Sequence, residues 1–298
     1  ALGHSALAVI NNTNSTNNTA VGYQALDQAT AGNQNTAVGS GSLGAASTTN
    51  DSTAVGYNAL NANTVAESTA FGSGALAANT DSTGNTAVGF QTLTTQSTGA
   101  TDNTAVGYKA MTGNTTGDNN VAVGSNALDA TNTGSGNVAV GYNALTENTT
   151  GHINVAVGAG ALDTNTTGSR NVAVGHYALF ANVDGTSNVA VGAHSLNANT
   201  EGERNVAVGD ATLGNNTTGN DNVAAGYKAL TANTLGGKNI AFGTYALDAN
   251  TTGKHNVAAG YSALSANVTA DDSTAIGYQA LNANTVAEST AFGSGALA

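Results

Sequence analysis

The sequence predicts an all-β fold, a parallel β-solenoid (β-roll) of about 18 coils with a 17-residue period. Three observations predict it: a short phrase that returns along the chain, fixed columns of Ala, Gly and Leu, and the absence of Pro. "NTAVGYQAL" at 18–26 returns as "STAVGYNAL" at 52–60, "NVAVGYNAL" at 137–145 and "STAIGYQAL" at 273–281. A phrase repeated at a fixed spacing indicates that each copy occupies one equivalent structural unit.

The spacing is measured between the Gly residues of successive A-x-G triplets, which we call anchors. From Gly107 to Gly277 ten consecutive intervals share the 17-residue length, and the other intervals between Gly3 and Gly293 differ from it by at most two residues. A unit of this length is shorter than the ~30 residues or more of helix-pair repeats. Asn-Gly, the strongest hairpin signal, never occurs. We therefore predict one parallel coil per unit, with neighbouring coils about 4.8 Å apart.

The columns of the repeat have structural explanations. Ala stands two residues before every anchor, and Leu stands four residues after every anchor except in one coil, where Met111 replaces it. The Leu column predicts a continuous apolar ladder, in which each buried side chain contributes roughly 2 kcal/mol. The Ala and Gly columns mark places where backbone approaches backbone. Pro is absent because every coil needs its N–H donors for the neighbouring coils.

Asn occupies two further columns. Four residues before the anchor the chain carries Asn or Ser, and seven residues after it Asn is frequent. Stacked Asn side chains are predicted to hydrogen-bond along the stack and to tolerate left-handed turns at the corners. The N-T-T-G phrase is predicted to be a turn whose Gly supplies a positive φ. It recurs at 114–117, 148–151, 165–168, 216–219 and 250–253.

Residues 1–298 are predicted to be a single continuous repeat array. Because the sequence begins and ends inside repeats, we expect it to be a segment of a longer chain. Residues 52–77 return at 273–298 with changes only at Val55/Ile276 and Asn58/Gln279. The offset between the two copies equals thirteen 17-residue units, which indicates duplication.

Composition excludes several classes of function. The net charge is −12 and there are only six Lys and Arg residues, so no basic stripe for nucleic acid is expected. No apolar run approaches the ~20 residues that span a bilayer, so no membrane span is expected in this segment. Without Cys, disulfides, zinc thiolates and thiol chemistry are excluded together.

The sequence predicts no enzyme, and no catalytic, cofactor-binding or metal site. The His residues lie at different positions of their coils, His176 and His194 being nearest neighbours, and we interpret them as solvent-facing variation. Glycoside hydrolysis needs paired carboxylates on one face. The adjacent pairs Asp271/Asp272 and Glu201/Glu203 have no expected partner at a matching position of a neighbouring coil. The five His residues are His4, His152, His176, His194 and His255.

Three surface columns leave alternatives open. Aromatic residues that follow the anchor are interpreted as packing against a sister chain, with sugar stacking or surface adhesion as the alternative. Three residues before the anchor, Thr changes to Val or Ile from Val121 to Val257, which indicates either sequence drift or a tighter contact with a neighbouring chain. An ice-binding Thr rank is disfavoured because the corner column breaks at Val183, Leu235 and Val268. The aromatic column contains Tyr23, Tyr57, Phe90, Tyr108, Tyr142, Tyr227, Tyr261 and Tyr278.

"NTAVGYQAL" and "STAIGYQAL" resemble the head repeats of trimeric autotransporter adhesins, whose motif has the form N-S-x-A-x-G-x-x-A. Related repeats occur in phage tail fibres and giant bacterial surface filaments. The resemblance covers the whole chain and implies a left-handed parallel β-roll, three of which pack around a shared axis. The 17-residue period is longer than that of the family. The motif matches column by column at Asn35, Ala37, Gly39 and Ser42, and at Asn137, Ala139, Gly141 and Ala144.

The expected function is therefore a non-catalytic structural and adhesive rod of an extracellular fibre or cell-surface appendage that mediates attachment to cells or surfaces. Its first partner is expected to be itself, in a parallel homo-oligomer, with a trimer as first choice and a larger cyclic bundle as second. A cell-surface or glycan receptor is a further expected partner. The alternative is the shaft of a phage tail fibre or depolymerase whose active domain lies outside this segment.

Overall fold

The computed structural model describes residues 1–8, 15–96, 99–130 and 132–298, and confirms the predicted fold class. Seventeen three-residue strands, all parallel, account for about 16 turns of β-solenoid. None of the residues in these ranges lies in a helix, and so none belongs to a helix able to cross a bilayer. The chain divides into two compact units, Ala1–Thr150 and Gly151–Ala298.

Each unit contains a run of short strands, one for each coil. The strands of the first unit are β1 (Thr19–Val21), β2 (Thr36–Val38), β3 (Thr53–Val55), β4 (Thr69–Phe71), β5 (Thr86–Val88), β6 (Thr104–Val106), β7 (Val121–Val123) and β8 (Val138–Val140). Those of the second unit are β9 (Val155–Val157), β10 (Val172–Val174), β11 (Val189–Val191), β12 (Val206–Val208), β13 (Val223–Ala225), β14 (Ile240–Phe242), β15 (Val257–Ala259), β16 (Thr274–Ile276) and β17 (Thr290–Phe292).

Within each unit, every strand pairs in parallel with the next one along the chain, in register. In the second unit Val172, Ala173 and Val174 of β10 face Val189, Ala190 and Val191 of β11. The first anchor, Gly3, precedes β1, and there Leu2 forms an isolated parallel bridge with Val21. The register follows the columns of the sequence repeat, as predicted.

The core consists of the Ala and Leu columns. The central Ala of every strand points inward, whereas the residues on either side of it are half-buried or exposed. The Leu residues four positions after the anchors are fully buried in the interior coils, as Leu145 and Leu213 show. The predicted apolar ladder is therefore confirmed.

The coil turns at four positions where φ is positive. In one coil of the second unit these are Arg204 (φ 54), Gly209 (φ 131), Ala211 (φ 52) and Leu213 (φ 50). An L-residue in the left-handed region costs about 1–2 kcal/mol. Full burial of a Leu side chain contributes about 1.5–3 kcal/mol, so the apolar ladder offsets the strain of its own backbone.

The prediction for the N-T-T-G corner was wrong in its mechanism. Gly117, Gly168, Gly219 and Gly253 do not have positive φ, and neither do the Asn residues of the two stacked columns. Glycine is needed there for another reason, because a Cβ added to Gly168 or Gly253 would lie 2.5 Å from a carbonyl oxygen of the next coil. The chain bends at Thr166 and Thr167 without a positive φ at Gly168, and crowding between coils selects the small residue there.

The anchor glycines combine both constraints. A Cβ on Gly175 would lie 2.5 Å from the carbonyl oxygen of Gly192, and one on Gly243 would lie 2.6 Å from that of Gly260. Their φ angles of 141° and 131° are unfavourable for any residue with a side chain. The predicted close approach of backbone to backbone is confirmed.

The Asn column seven residues after the anchor forms a buried amide ladder. The Asn216 Nδ2 group donates to Asn199 Oδ1 (2.8 Å), and Asn233 Nδ2 donates in turn to Asn216 Oδ1 (2.7 Å). The same Asn216 Nδ2 group also donates to the carbonyl of Gly219 in its own coil (3.0 Å). This confirms the predicted hydrogen bonding between stacked Asn side chains and explains why a corner can be buried without water.

The Asn column four residues before the anchor joins side chain to backbone. Asn205 Oδ1 accepts from the backbone N–H of Asn222 (3.0 Å), and Asn205 Nδ2 donates to the carbonyl of Gly219 (2.8 Å). Both partners lie in the next coil. A single fully buried amide therefore satisfies two backbone groups that no strand pairing reaches.

Substitution of Leu213 by Ala tests the apolar ladder. We expect a loss of about 2–5 kcal/mol, because the side chain is fully buried and the backbone on either side is fixed by coil contacts. The matched control is Leu235→Ala, since Leu235 is 55% exposed. Urea denaturation followed by circular dichroism measures both, and equal midpoints for the two variants would contradict the assigned register.

Substitution of Asn216 by Asp tests the amide ladder. An ionised carboxylate cannot donate to Asn199 Oδ1 or to the Gly219 carbonyl, so we expect a loss of about 3 kcal/mol at neutral pH. Burial raises the folded-state pKa of the new carboxyl, so the loss grows above the unfolded value of about 3.9 and shrinks as the pH falls, when the protonated acid can donate to one of the two acceptors.

The control for this substitution is Asn220→Asp at an exposed position, where the side chain only accepts a hydrogen bond, from Glu203 N–H. Thermal melts of both variants at acidic and neutral pH measure the difference. An Asn216→Asp protein as stable as the control at neutral pH would show that the ladder contributes nothing.

Candidate binding surfaces

The first and third residues of every strand lie on the side of the sheet away from the core. We call these two columns the outer face. In the second unit they include the pairs Val172/Val174, Val189/Val191 and Val206/Val208. The central Ala points inward and anchors each pair. In both units the two columns contain Thr, Val, Ile, Phe and Ala, with no charged residue in any described strand.

This face is open to solvent in the single chain. Val174, Val191 and Ile240 are each 37% exposed, and Phe242 is 48% exposed. Because successive strands are in register, these side chains form continuous apolar columns and do not occur singly. A contiguous apolar surface of this kind marks an interaction site more often than scattered apolar residues do.

The aromatic column borders the outer face. Its members are substantially exposed, from 42% for Tyr227 to 61% for Tyr57. Where two follow in successive coils their rings stack, as in Phe90 with Tyr108 (5.6 Å between centroids) and Tyr261 with Tyr278 (5.5 Å).

The sequence repeat missed one member of the aromatic surface. Tyr245 stands two residues after its anchor instead of one, yet its ring packs edge-on between Tyr227 (5.5 Å) and Tyr261 (6.1 Å). The resulting cluster spans four successive coils. Lys228 Nζ lies over the ring of Tyr227, 5.3 Å from its centroid, and so places a positive charge at one end of the cluster.

The His residues do not form one cluster among the described residues, although two of them are neighbours. His176 and His194 are close, with ring centroids 5.5 Å apart, and both contact Tyr177. The His255 ring contacts a carboxylate, with Nδ1 3.4 Å from Asp272 Oδ1. Among the described residues, no three His, Asp or Glu side chains form a group able to hold a metal ion.

The carboxylates singled out by sequence are engaged in local contacts. Asp271 Oδ1 accepts from the backbone N–H of Lys254 (2.7 Å), and Glu203 Oε2 pairs with Arg204 Nη1 (2.5 Å). The expectation that neither pair has a matching neighbour was wrong. Glu288 stands at the position of Asp272 one coil further on, and Asp184 stands at the position of Glu201 one coil back. No described side-chain contact joins the two acids in either case.

Arg204 organises a short charged row on the surface of the second unit. Its Nε donates to Asp221 Oδ1 (2.7 Å) and its Nη2 to Asp221 Oδ2 (3.3 Å). The hydrogen bond from Arg204 lowers the pKa of the Asp221 carboxyl, and Lys238 acts in the same direction. Asp221 is therefore ionised at neutral pH, with its charge largely balanced by Arg204.

The corner Thr residues do not present a free hydroxyl rank. Thr217 Oγ1 donates to the carbonyl of Thr234 (3.1 Å), and Thr251 Oγ1 donates to that of Val268 (3.1 Å). These hydroxyls are directed along the stack to the next coil. The interpretation against an ordered ice-binding surface gains support from this geometry.

Asp248 is the titratable side chain with the least favourable surroundings. Burial raises the pKa of its carboxyl, and the backbone N–H groups of Asp248 and Ala249 oppose that shift only in part. Its Oδ1 atom has no hydrogen-bond partner among the described residues. This acid therefore costs stability when it ionises.

Comparison with protein-family models and with curated proteins gave no match. The fold itself defines the class: a parallel β-solenoid repeat protein, with apolar ladders and Asn ladders inside and uncharged apolar columns outside.

Replacing Asp248 by Asn tests the cost of this carboxyl. Because its folded-state pKa is raised, the penalty is absent below the unfolded value of about 3.9 and grows as the pH rises through the folded value. We expect Asp248→Asn to raise the melting temperature at pH 7 and to leave it unchanged near pH 3. Asp129→Asn, at the same position of another coil, is the control. A lower melting temperature for Asp248→Asn at pH 7 would contradict the assignment.

Proposed function

We propose that this chain is a non-catalytic structural and adhesive part of an extracellular fibre or cell-surface appendage, and that it assembles as a parallel homo-oligomer, with a trimer as the first choice. The observation that carries this proposal is the uncharged apolar outer face. An apolar surface that continues over many coils is normally covered by a partner.

The partner that best fits this face is a second copy of the same chain. Every coil presents a similar pair of side chains at a constant rise of about 4.8 Å, so a parallel copy in register matches it coil by coil. Strand columns without charge remove the repulsion that would otherwise oppose identical surfaces. Cyclic assembly of identical chains is the commonest solution for soluble oligomers.

Attachment is the role we assign to the surfaces that an oligomer leaves exposed. The aromatic cluster around Tyr245 offers ring edges and phenol groups that suit contact with sugars or other surfaces. The Asn amides of the interior ladders are already hydrogen-bonded to one another, and so they are not free to contact a surface. A stiff support that carries shallow contact sites on its outside is consistent with adhesion without catalysis.

The double substitution Val174→Lys and Val191→Lys tests the assembly. It places two charges on the outer face, and we expect it to convert the oligomer to a 28.9 kDa monomer in light scattering, with unchanged circular dichroism. The control is Val183→Lys, an exposed valine outside the strands. Adhesion is measured in parallel, as the binding of protein-coated beads to cell surfaces.

Two results would overturn the proposal. One is a fully folded, monomeric parent chain at micromolar concentration. The other is an oligomer that survives the two outer-face lysines as well as it survives the Val183 control, since that would place the contact elsewhere.

A further inference from the structure

A row of hydrogen bonds runs along the corner six residues before each anchor in several coils. There the backbone N–H donates to the side chain of the equivalent residue in the next coil. Glu203 N–H donates to Asn220 Oδ1 (2.6 Å), and Lys254 N–H donates to Asp271 Oδ1 (2.7 Å). In the first unit Thr101 N–H donates to Asp118 Oδ1 (2.8 Å). The row therefore supplies an oxygen from one coil to an N–H group of the coil before it.

At two consecutive coils of the second unit the next residue of the row has no side chain able to accept. Asn220 should donate to residue 237, which is Gly and has no side chain, and Gly237 should donate to Lys254, whose side chain cannot accept. Among the described residues, neither N–H group has an acceptor. A Cβ added to Gly237 would lie 3.7 Å from the Asn220 nitrogen and 3.0 Å from its carbonyl oxygen, so a side chain fits there after a small shift. The absence of a side chain at Gly237 leaves space next to the Asn220 N–H group.

A surface cleft of about 330 Å³ lies at this break, and we call it the Gly237 cleft. Its volume is at the lower end of the ~300–1,000 Å³ typical of small-molecule sites, which suits a single sugar ring. The residues that determine its chemistry are Asn220, Asp221, Leu235, Gly237, Lys238 and Lys254.

The charges around the cleft favour an anion at its centre. Lys238 and Lys254 have exposed ammonium groups in its wall. The neighbouring acids are engaged elsewhere: Asp221 with Arg204, Asp271 with the Lys254 backbone, and Asp272 with His255, which also lines the cleft. Neither lysine forms a direct ion pair among the described residues, and Lys238 acts on the Asp221 carboxylate only at longer range.

We propose that the Gly237 cleft binds a carboxylated sugar, and this inference rests on the adhesive function proposed above. One carboxylate oxygen takes the place of the side chain that Gly237 lacks and receives the N–H group of Asn220. The ammonium groups of Lys238 and Lys254 neutralise its charge.

The other parts of the cleft suit the rest of such a sugar. The Asp221 carboxylate accepts hydrogen bonds from ring hydroxyls, and the exposed Leu235 side chain packs against the C–H face of the ring. A neutral sugar would bring no negative charge to Lys238 and Lys254. Long polyanions are disfavoured because the chain has a net charge of −12.

The test uses the full 298-residue chain and galacturonic acid as the probe, with galactose as the neutral analogue. Ligand-observed NMR titration measures the dissociation constants. We expect galacturonate to bind at least tenfold more tightly than galactose. Gly237→Asn supplies the missing side-chain acceptor from the protein itself, and should therefore weaken galacturonate binding at least tenfold. Ser169→Asn makes the same type of change at the same repeat position elsewhere and should leave binding unchanged.

A second variant and two simple anions complete the test. Lys238→Gln combined with Lys254→Gln should abolish the preference for galacturonate over galactose, whereas Lys228→Gln, outside the cleft, should keep it. Acetate and sulfate at equal ionic strength should compete weakly. Equal affinity for galacturonate and acetate would overturn the sugar assignment, and full binding by Gly237→Asn would overturn the site.

The outcome is separable from that of the proposed function. Light scattering of Gly237→Asn, and bead attachment of the Val174→Lys and Val191→Lys double variant, are measured alongside the titration. A parent chain that keeps its oligomer mass and its bead attachment but does not bind galacturonate would overturn only the sugar site. A monomeric parent chain whose beads do not attach would sink the proposed function, whatever the titration shows.

Discussion

The contact between successive anchor glycines is the constraint on which the rest of each unit depends. The carbonyl of Gly192 lies where a side chain of Gly175 would have to stand, and the same relation holds between Gly243 and Gly260. The spacing of the coils is therefore set by backbone against backbone. Every other column must accept the same rise, because a coil cannot move outward at one place without breaking the hydrogen bonds at all the others.

A fixed rise turns each kind of residue into a column with one task. Ala fills the inner side of the strand, where its small side chain is buried. Asn serves where a buried corner must pair with groups of the adjacent coils, as Asn216 does through its side chain and Asn205 through the backbone of Asn222. Outside, the rise repeats the outer face at the same interval from coil to coil within each unit.

The columns of the repeat made the fold predictable, but they did not predict the backbone conformation of the residues within a column. Strand register and the two Asn ladders followed from spacing alone. Positive φ at Leu213 did not, because propensity assigns that region to Gly and Asn, and here burial overrides it. Gly168 was assigned a turn role that it does not have, since spatial crowding and left-handed conformation select the same residue. Tyr245 was missed because it joins the aromatic cluster from a neighbouring repeat position.

The outline of the candidate surfaces was also readable from sequence, but the Gly237 cleft was not. A Gly in a variable corner column carries no signal until the structure shows that its neighbours use side chains there to satisfy backbone donors. In a chain whose interior columns are fixed by the coil spacing, only corners and outward columns are free to vary. An interrupted column is therefore a place where a repeated surface can offer backbone groups that the equivalent positions of other coils already pair.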